Sequence, residues 1–313
     1  MIKDAVHTFF TYFKKSIGFL LFFICSYAIY KTILSNDNWF NYTNVIRNLV
    51  LEVPIYQWGI LLFLMAANFS IESLKWKKVV SSSNPINFSN ALKGVFVGQT
   101  FAFFTPNRIG EYAGRTLFLA SGNKLLGVAQ LAWASYAQLL VTLFIGSIAL
   151  AINIDAYTWI TGSFQYWVQV VIPLLGMLAF YLFFHKKEWT GKFSFLNIIQ
   201  IENALKINLL LLSFGRYFIF LLQYIWVSYM LKMDIALLPL MLSVSILFLF
   251  LSILPTISIT ELVIRGQLFL MILAPIYSDK MLIISLSSII WGINFLIPSI
   301  IGAFLLLGYR LNR

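Results

Sequence analysis

Charge is scarce in this chain. Asp, Glu, Lys and Arg make up 11% of its 313 residues, where soluble domains carry about 25%. Hydrophobic residues make up 60% and aromatic residues 17%. So little charge cannot cover the surface of a soluble fold, so the solvent for most of the chain is lipid. Acidic residues are scarcest, with 11 Asp and Glu against 22 Lys and Arg and a net charge of +11. The basic residues are scattered in twos and threes between apolar runs. That pattern fits cytoplasmic loops held against anionic lipid, and no nucleic-acid partner is expected.

Cysteine is almost absent. Cys25 is the only one and lies in an apolar run, which excludes an intrachain disulfide and disfavours a thiolate metal site. The two histidines, His7 and His185, stand beside Lys-containing loops. No metal ligand set is visible, and no metal or cofactor is expected. The sequence has no G-x-S-x-G, H-E-x-x-H, P-loop or Gly-rich dinucleotide motif. No catalytic residue is assigned, and the chain is not expected to be an enzyme.

What is abundant is long apolar sequence. A helix needs about 20 residues to cross the hydrocarbon core. Segments 16–34, 57–74, 126–152, 166–184, 207–231 and 281–308 meet that need. The first follows Lys14 and Lys15 like a signal peptide, but no small-residue cleavage site follows Ile29, so a retained span is expected. The expected fold is all-α: one polytopic membrane domain over 1–313, with about six full spans and two irregular regions, 88–121 and 235–276.

In the first irregular region, a full crossing by 89–105 would force 110–123 to cross back. That return carries Glu111, Arg115, Ser121 and Gly122 and is too short and polar to face lipid. A re-entrant helical hairpin removes the conflict, because non-helical backbone at depth is allowed where protein or a wet cavity covers it. Thr105-Pro106-Asn107 is the expected tip, since the residue before proline is driven out of helical dihedrals. The second region breaks at Pro255. A hairpin entering from outside and two full spans lead to the same ends there, since 235–254 is long enough to cross.

Loop charges orient this arrangement. With the N-terminus inside, fourteen Lys and Arg fall on the cytoplasmic side, among them Lys75 and Lys206. Four fall outside: Lys31, Arg47, Lys232 and Lys280. This is the positive-inside asymmetry of a cell-membrane protein with both termini cytoplasmic. The remaining four, Arg108, Arg115, Arg216 and Arg265, fall at membrane depth.

The irregular regions resemble each other. Pro106 is followed by Glu111 and Arg115, and Pro255 by Glu261 and Arg265. In both, Glu and Arg stand at i, i+4, on one helix face, where they can pair. Each half of the chain, 1–155 and 156–313, reads span, span, hairpin, span, with opposite starting directions. Inverted repeats with broken helices in matching places point to a transporter site near the midplane.

Ionisable residues at depth are costly and usually functional. Arginines can bind phosphate bidentately, with glutamates holding them or carrying protons; the alternative is that each Glu–Arg pair only pins its hairpin. Arg108, beside the first tip, precedes a half-helix whose N-terminus can attract an anion, unless the tip contacts its own protein. Arg216 lies about nine residues into its span, roughly 13 Å deep at 1.5 Å per residue. Its candidate partners are Glu111, Glu261 or a headgroup phosphate, unless it snorkels. Gln223, seven residues on, is expected on the same face, and Gly215 is placed to allow close helix approach. Glu72, four residues after Asn68, either faces the interior or, standing close to its span end, is solvated, and a structural role is expected. Gln99, Thr100, Gln130, Ser135, Tyr136 and Gln138 extend a polar lining or act as interhelical glue.

The string Thr105-Pro-Asn-Arg-Ile-Gly-Glu-Tyr-Ala-Gly-Arg115 resembles the first signature of the lysylphosphatidylglycerol synthase transmembrane region, also called the flippase-like domain. Glu72-Ser-Leu-Lys-Trp76-Lys resembles the end of that family's second span, and Arg216 with Gln223 its Arg…Gln span. The second hairpin departs, with Ile257-Ser-Ile-Thr260 in place of a Gly-rich turn, while Glu261 is kept. The resemblance extends over nearly the whole chain. It implies a bacterial-type cytoplasmic membrane protein with lipid translocation as the proposed activity. The family's aminoacyl-transferring domain has no counterpart in these residues, so synthase activity is not implied.

The expectation is a lipid flippase-like transporter that holds a phospholipid or polyprenyl-linked headgroup in a polar cavity. The substrate-binding set is Arg108, Glu111, Arg115, Arg216, Gln223, Glu261 and Arg265, and the partners are membrane lipids. The alternatives are a non-transporting protein that presents lipid to a separate lipid-modifying enzyme, and an intramembrane transferase.

Overall fold

Pro54 opens the first described helix, its fixed φ suiting a helix start. A computed structural model of the chain describes residues 52–105, 108–119, 124–154, 162–185, 200–254 and 258–311, together with Tyr27 and Arg47. The expected first span, 16–34, and the expected tips at 106–107 and 255–257 lie outside the described residues. Secondary structure among the described residues is helical throughout. The helices are α1 (Ile55–Val80), α2 (Phe88–Phe104), α3 (Gly110–Thr116), α4 (Lys124–Asn153), α5 (Ser163–Phe184), α6 (Asn203–Met230), α7 (Leu237–Ile253), α8 (Ser258–Leu273) and α9 (Lys280–Trp291). A π-helical turn, Gly292–Leu296, carries α9 into α10 (Ile297–Leu311). Among the described residues, four stretches are long and apolar enough to cross a bilayer: Ile55–Val80, Leu126–Asn153, Asn203–Met230 and Lys280–Gly308.

Local chemistry sets the boundaries. Asn87 caps α2, its side chain accepting from Asn90 N at 2.8 Å, and Asp279 caps α9 by accepting from Met281 N and Leu282 N. Thr105, before a proline, is extended (φ −112°, ψ 141°) and ends α2. Its hydroxyl donates to Phe101 O at 3.0 Å and accepts from Gly110 N at 2.8 Å, which ties the end of α2 to the start of α3. α6 ends at Leu231, and Lys232 follows in the left-handed region (φ 53°), where it closes many helices.

Glycines set how near the helices come. A Cβ on Gly114 of α3 would stand 2.6 Å from Gly98 Cα, and one on Gly98 2.9 Å from Glu111 O. α2 and α3 therefore touch backbone to backbone, the small-residue packing common where lipid supplies no hydrophobic drive. α4 packs along α7, and α10 along α2. Each contact closes on one glycine: Gly146 of α4 against Ser245 O and Leu249 of α7, and Gly302 of α10 against Phe96 O and Thr100 of α2. The two contacts exchange the halves of the chain, since the last helix of each half rests on the first arm of the other half's broken pair. Gly215, by contrast, meets only Ile71 Cδ1 at 3.7 Å. That is ordinary packing, so no close approach depends on it.

α1 and α6 lie antiparallel at the centre. Trp226 Nε1 donates to Gln57 O at one end of their contact, and Arg216 meets Asn68 and Glu72 at the other. Trp76, Leu61, Leu209 and Tyr224 are fully buried around this pair, and Phe69 stacks on Phe96 of α2 at 4.9 Å.

Candidate functional site

The polar centre is built on Glu72. Its Oε1 accepts from Arg115 Nη2 of α3 at 2.8 Å, and its Oε2 from Arg216 Nη1 of α6 at 2.6 Å. Lys75 Nζ lies 3.4 Å from the same Oε2 and donates to Gln138 Oε1 of α4 at 3.3 Å. Asn68, one turn earlier, accepts from Arg216 Nε at 2.8 Å. Two residues on one face of α1 thus hold both edges of the Arg216 guanidinium.

Of the two settings open to Glu72, the structure takes the interior one: it is buried, because α3 and α6 cover it. One expectation is corrected. The protein partner of Arg216 is Glu72 rather than Glu111 or Glu261, because the antiparallel α1–α6 contact sets Arg216 beside the last turns of α1. Two of the cytoplasmic loop charges are also corrected. Lys75 and Lys206 are buried, Lys75 in this network and Lys206 over the rings of Trp133 (4.7 Å) and Phe183 (5.7 Å).

Both expected i, i+4 pairs form. Arg115 donates to Glu111, and Arg265 to Glu261. Arg265 also donates to Tyr224 OH of α6 at 3.0 Å, a partner that lies on a neighbouring helix and has no spacing signal in sequence.

Arg108 sits between the broken helices. Its φ is +58°, a conformation uncommon outside glycine that clusters at functional sites. Its guanidinium donates to Gln99 of α2, stands 3.7 Å from Glu111 through Nε and lies over the Phe295 ring at 5.0 Å. Arg265 lies over the same ring at 5.4 Å. Phe295 belongs to the π-helical turn, a bulge type frequent at functional sites, and no sequence motif singles it out. The half-helix after Arg108 does not make an anion site of its own: α3 has seven residues, and its first N–H already donates to Thr105.

α4, α6, α7 and α8, with Arg108 and Phe295, line an open cavity of about 360 Å³. Its polar wall is Arg108, Arg216, Glu261, Arg265, Gln138 and Thr142; Phe220, Phe248, Leu251 and Leu254 make an apolar wall. Arg108 and Arg216 keep 35% and 16% of their side-chain surface exposed, whereas Arg115 keeps 1%. The first two can therefore reach a ligand, while Arg115 holds Glu72 and Glu111 from behind. The structure thus brings Arg108, Arg216, Glu261 and Arg265 to one cavity and leaves Glu111 and Arg115 beside it.

Gln223 is not on the cavity wall. It is fully buried and accepts from Asn294 Nδ2 at 2.9 Å, so it joins α6 to the π-helical turn. Several other polar residues join helices as well. Gln130 meets Ser82 and Ser83, Tyr136 donates to Ala179 O, Thr100 to Ser299 O, and Tyr112 to Ser135. Among the described residues, no three His, Cys, Asp or Glu come together as a metal site would require.

Chemically the cavity sets three guanidinium groups and one carboxylate opposite an apolar wall. In comparison with known proteins, no family model and no curated protein matches the chain.

Proposed function

We propose that this chain is a flippase-like protein of the cell membrane that takes an anionic lipid headgroup into the arginine-lined cavity while the tails stay in the bilayer. The observation that carries the reading is the convergence of Arg108, Arg216 and Arg265 on one cavity from α3's side, from α6 and from α8. Guanidinium groups suit phosphate because their planar forks donate two parallel hydrogen bonds, and the phenylalanine and leucine wall suits the root of the tails. The resemblance of Thr105–Arg115 and of the Arg216 span to the flippase-like domain supports the same reading.

The membrane arrangement that goes with it has six full spans, both termini in the cytoplasm, and two re-entrant hairpins formed by α2–α3 and α7–α8. The inverted repeat draws support from the exchanged α4–α7 and α10–α2 contacts, each closed on a glycine, and from the matched Glu111–Arg115 and Glu261–Arg265 pairs. In such repeats, substrate sites lie between the broken helices near the midplane.

The test is transport by the purified protein in proteoliposomes loaded with a headgroup-labelled phospholipid, beside a lipid inventory of the purified protein by native mass spectrometry. The proposal expects retained anionic lipid and protein-dependent translocation. Retained lipid without translocation assigns the presenting role instead, and neither lipid nor translocation overturns the proposal.

A further inference from the structure

The charges around the cavity do not balance. Among the described residues of this network, the cations are Lys75, Arg108, Arg115, Arg216 and Arg265, and the carboxylates are Glu72, Glu111 and Glu261, an excess of two positive charges. Each carboxylate is already engaged by a cation of the network, and Glu72 by three. An uncompensated charge at membrane depth is unfavourable, and ionisable groups there pair with whatever opposite charge is within reach.

The excess faces the cavity rather than the packed interior. Lys75 and Arg115 are closed off, and Arg108 and Arg216 are the network's more open cations. Arg265 is only 7% exposed; its buried Nε has no protein partner, and the residue lines the cavity. Arg108 and Arg265 come from opposite broken pairs, line the same cavity and each lie over the Phe295 ring.

We infer that the group bound there is a dianion, a terminal phosphomonoester, rather than the singly charged phosphodiester of common phospholipids. A terminal phosphate carries nearly two negative charges at neutral pH and three acceptor oxygens. It neutralises the excess of two, whereas a phosphodiester leaves one cation uncompensated. The cavity of about 360 Å³ is at the small end of ligand sites, which suits a bare phosphate better than a bulky substituted headgroup. The inference rests on the reading of the cavity as a lipid site for one of its sources; the same chemistry is offered by free inorganic phosphate.

The experiment measures binding to the full-length protein in detergent micelles for four probes: a polyprenyl phosphate, phosphatidic acid, phosphatidylglycerol and inorganic phosphate. The expected result is that the two lipids with a terminal phosphate bind at least about tenfold tighter than phosphatidylglycerol, the worth of one further charge-assisted hydrogen bond. In Arg265→Gln that preference should fall toward unity; Arg108→Gln, on the more exposed arginine, provides the same comparison should the first variant fold poorly. Equal affinity for phosphatidylglycerol and the terminal-phosphate lipids overturns the dianion while leaving the lipid site standing. Binding of inorganic phosphate alone keeps the dianion and overturns the lipid site. Binding of none of the four overturns both.

Discussion

Arg216 and Glu72 meet across the antiparallel contact of α6 and α1, Nη1 to Oε2 at 2.6 Å. The other oxygen of the same carboxylate takes Arg115. One glutamate therefore ties the first broken pair to the central helix of the second half, and any movement of α3 relative to α6 must break one of two buried ion pairs.

Glu72→Gln should be strongly destabilising. It leaves Arg115, Arg216 and Lys75 with one carboxylate fewer, and removal of one partner from a buried pair costs about 3–5 kcal/mol. The melting temperature in detergent should fall markedly. The double variant Glu72→Gln/Arg216→Leu should recover part of the loss, because it removes the stranded cation as well. A double variant no better than the single would show that the two side chains are not coupled.

Packing supplies a second prediction. A Cβ at Gly302 would stand 2.0 Å from Phe96 O, and one at Gly146 2.7 Å from Leu249 Cβ. Gly302→Ala should therefore cost more than Gly146→Ala, since its overlap is deeper and the atoms it meets are held by backbone in both places. Overpacking of this kind costs roughly 1–3 kcal/mol. At Gly59 a Cβ meets nothing within 4 Å, and alanine there should be neutral or stabilising by about 0.5–1 kcal/mol. Thermal unfolding of the three variants, measured side by side, checks the order.

Local rules made part of this architecture legible. The Glu-x-x-x-Arg spacing predicts the two pairs because i, i+4 geometry is fixed by the helix itself, and Thr105 before Pro106 predicts the end of α2 for the same reason. The role of Glu72 was not legible, because its partners come from α3 and α6, far away in sequence. Gln223 shows the opposite case. Its spacing keeps it on nearly the same face as Arg216, but seven residues set it roughly 10 Å farther along α6, past the cavity and against Asn294. Phe295 was hidden because a π-helical turn leaves the apolar pattern of its helix unbroken.

Topology is open to direct labelling. In a Cys25→Ser background, Ser82→Cys should react with an impermeant thiol reagent only from the cytoplasmic side, and Ser278→Cys only from the outside. Both serines are exposed in loops between helices, so labelling requires no unfolding. Labelling of both from the same side removes the odd number of crossings between them and with it the inverted repeat.

Arg216 separates a ligand site from a structural pin. Its Nε and Nη1 are held by Asn68 and Glu72, and it still lines the cavity with 16% of its side chain exposed. An arginine that only pinned α6 to α1 would need no open face. Arg216→Lys keeps the charge but loses the fork, so it can hold Glu72 or a phosphate oxygen through one point of contact. It should retain much of the stability and lose roughly tenfold or more in affinity for anionic lipid, the worth of one charge-assisted hydrogen bond. Arg216→Leu should retain no anionic lipid at all, and it strands Glu72 less than might be feared, because Arg115 and Lys75 remain within 3.4 Å. The checks are retained lipid per protein by mass spectrometry and melting temperature in detergent with and without added lipid. If Arg216→Leu keeps its lipid and its lipid-dependent shift in melting temperature, the arginine is a pin and the anion site must be sought at Arg108 and Arg265 alone.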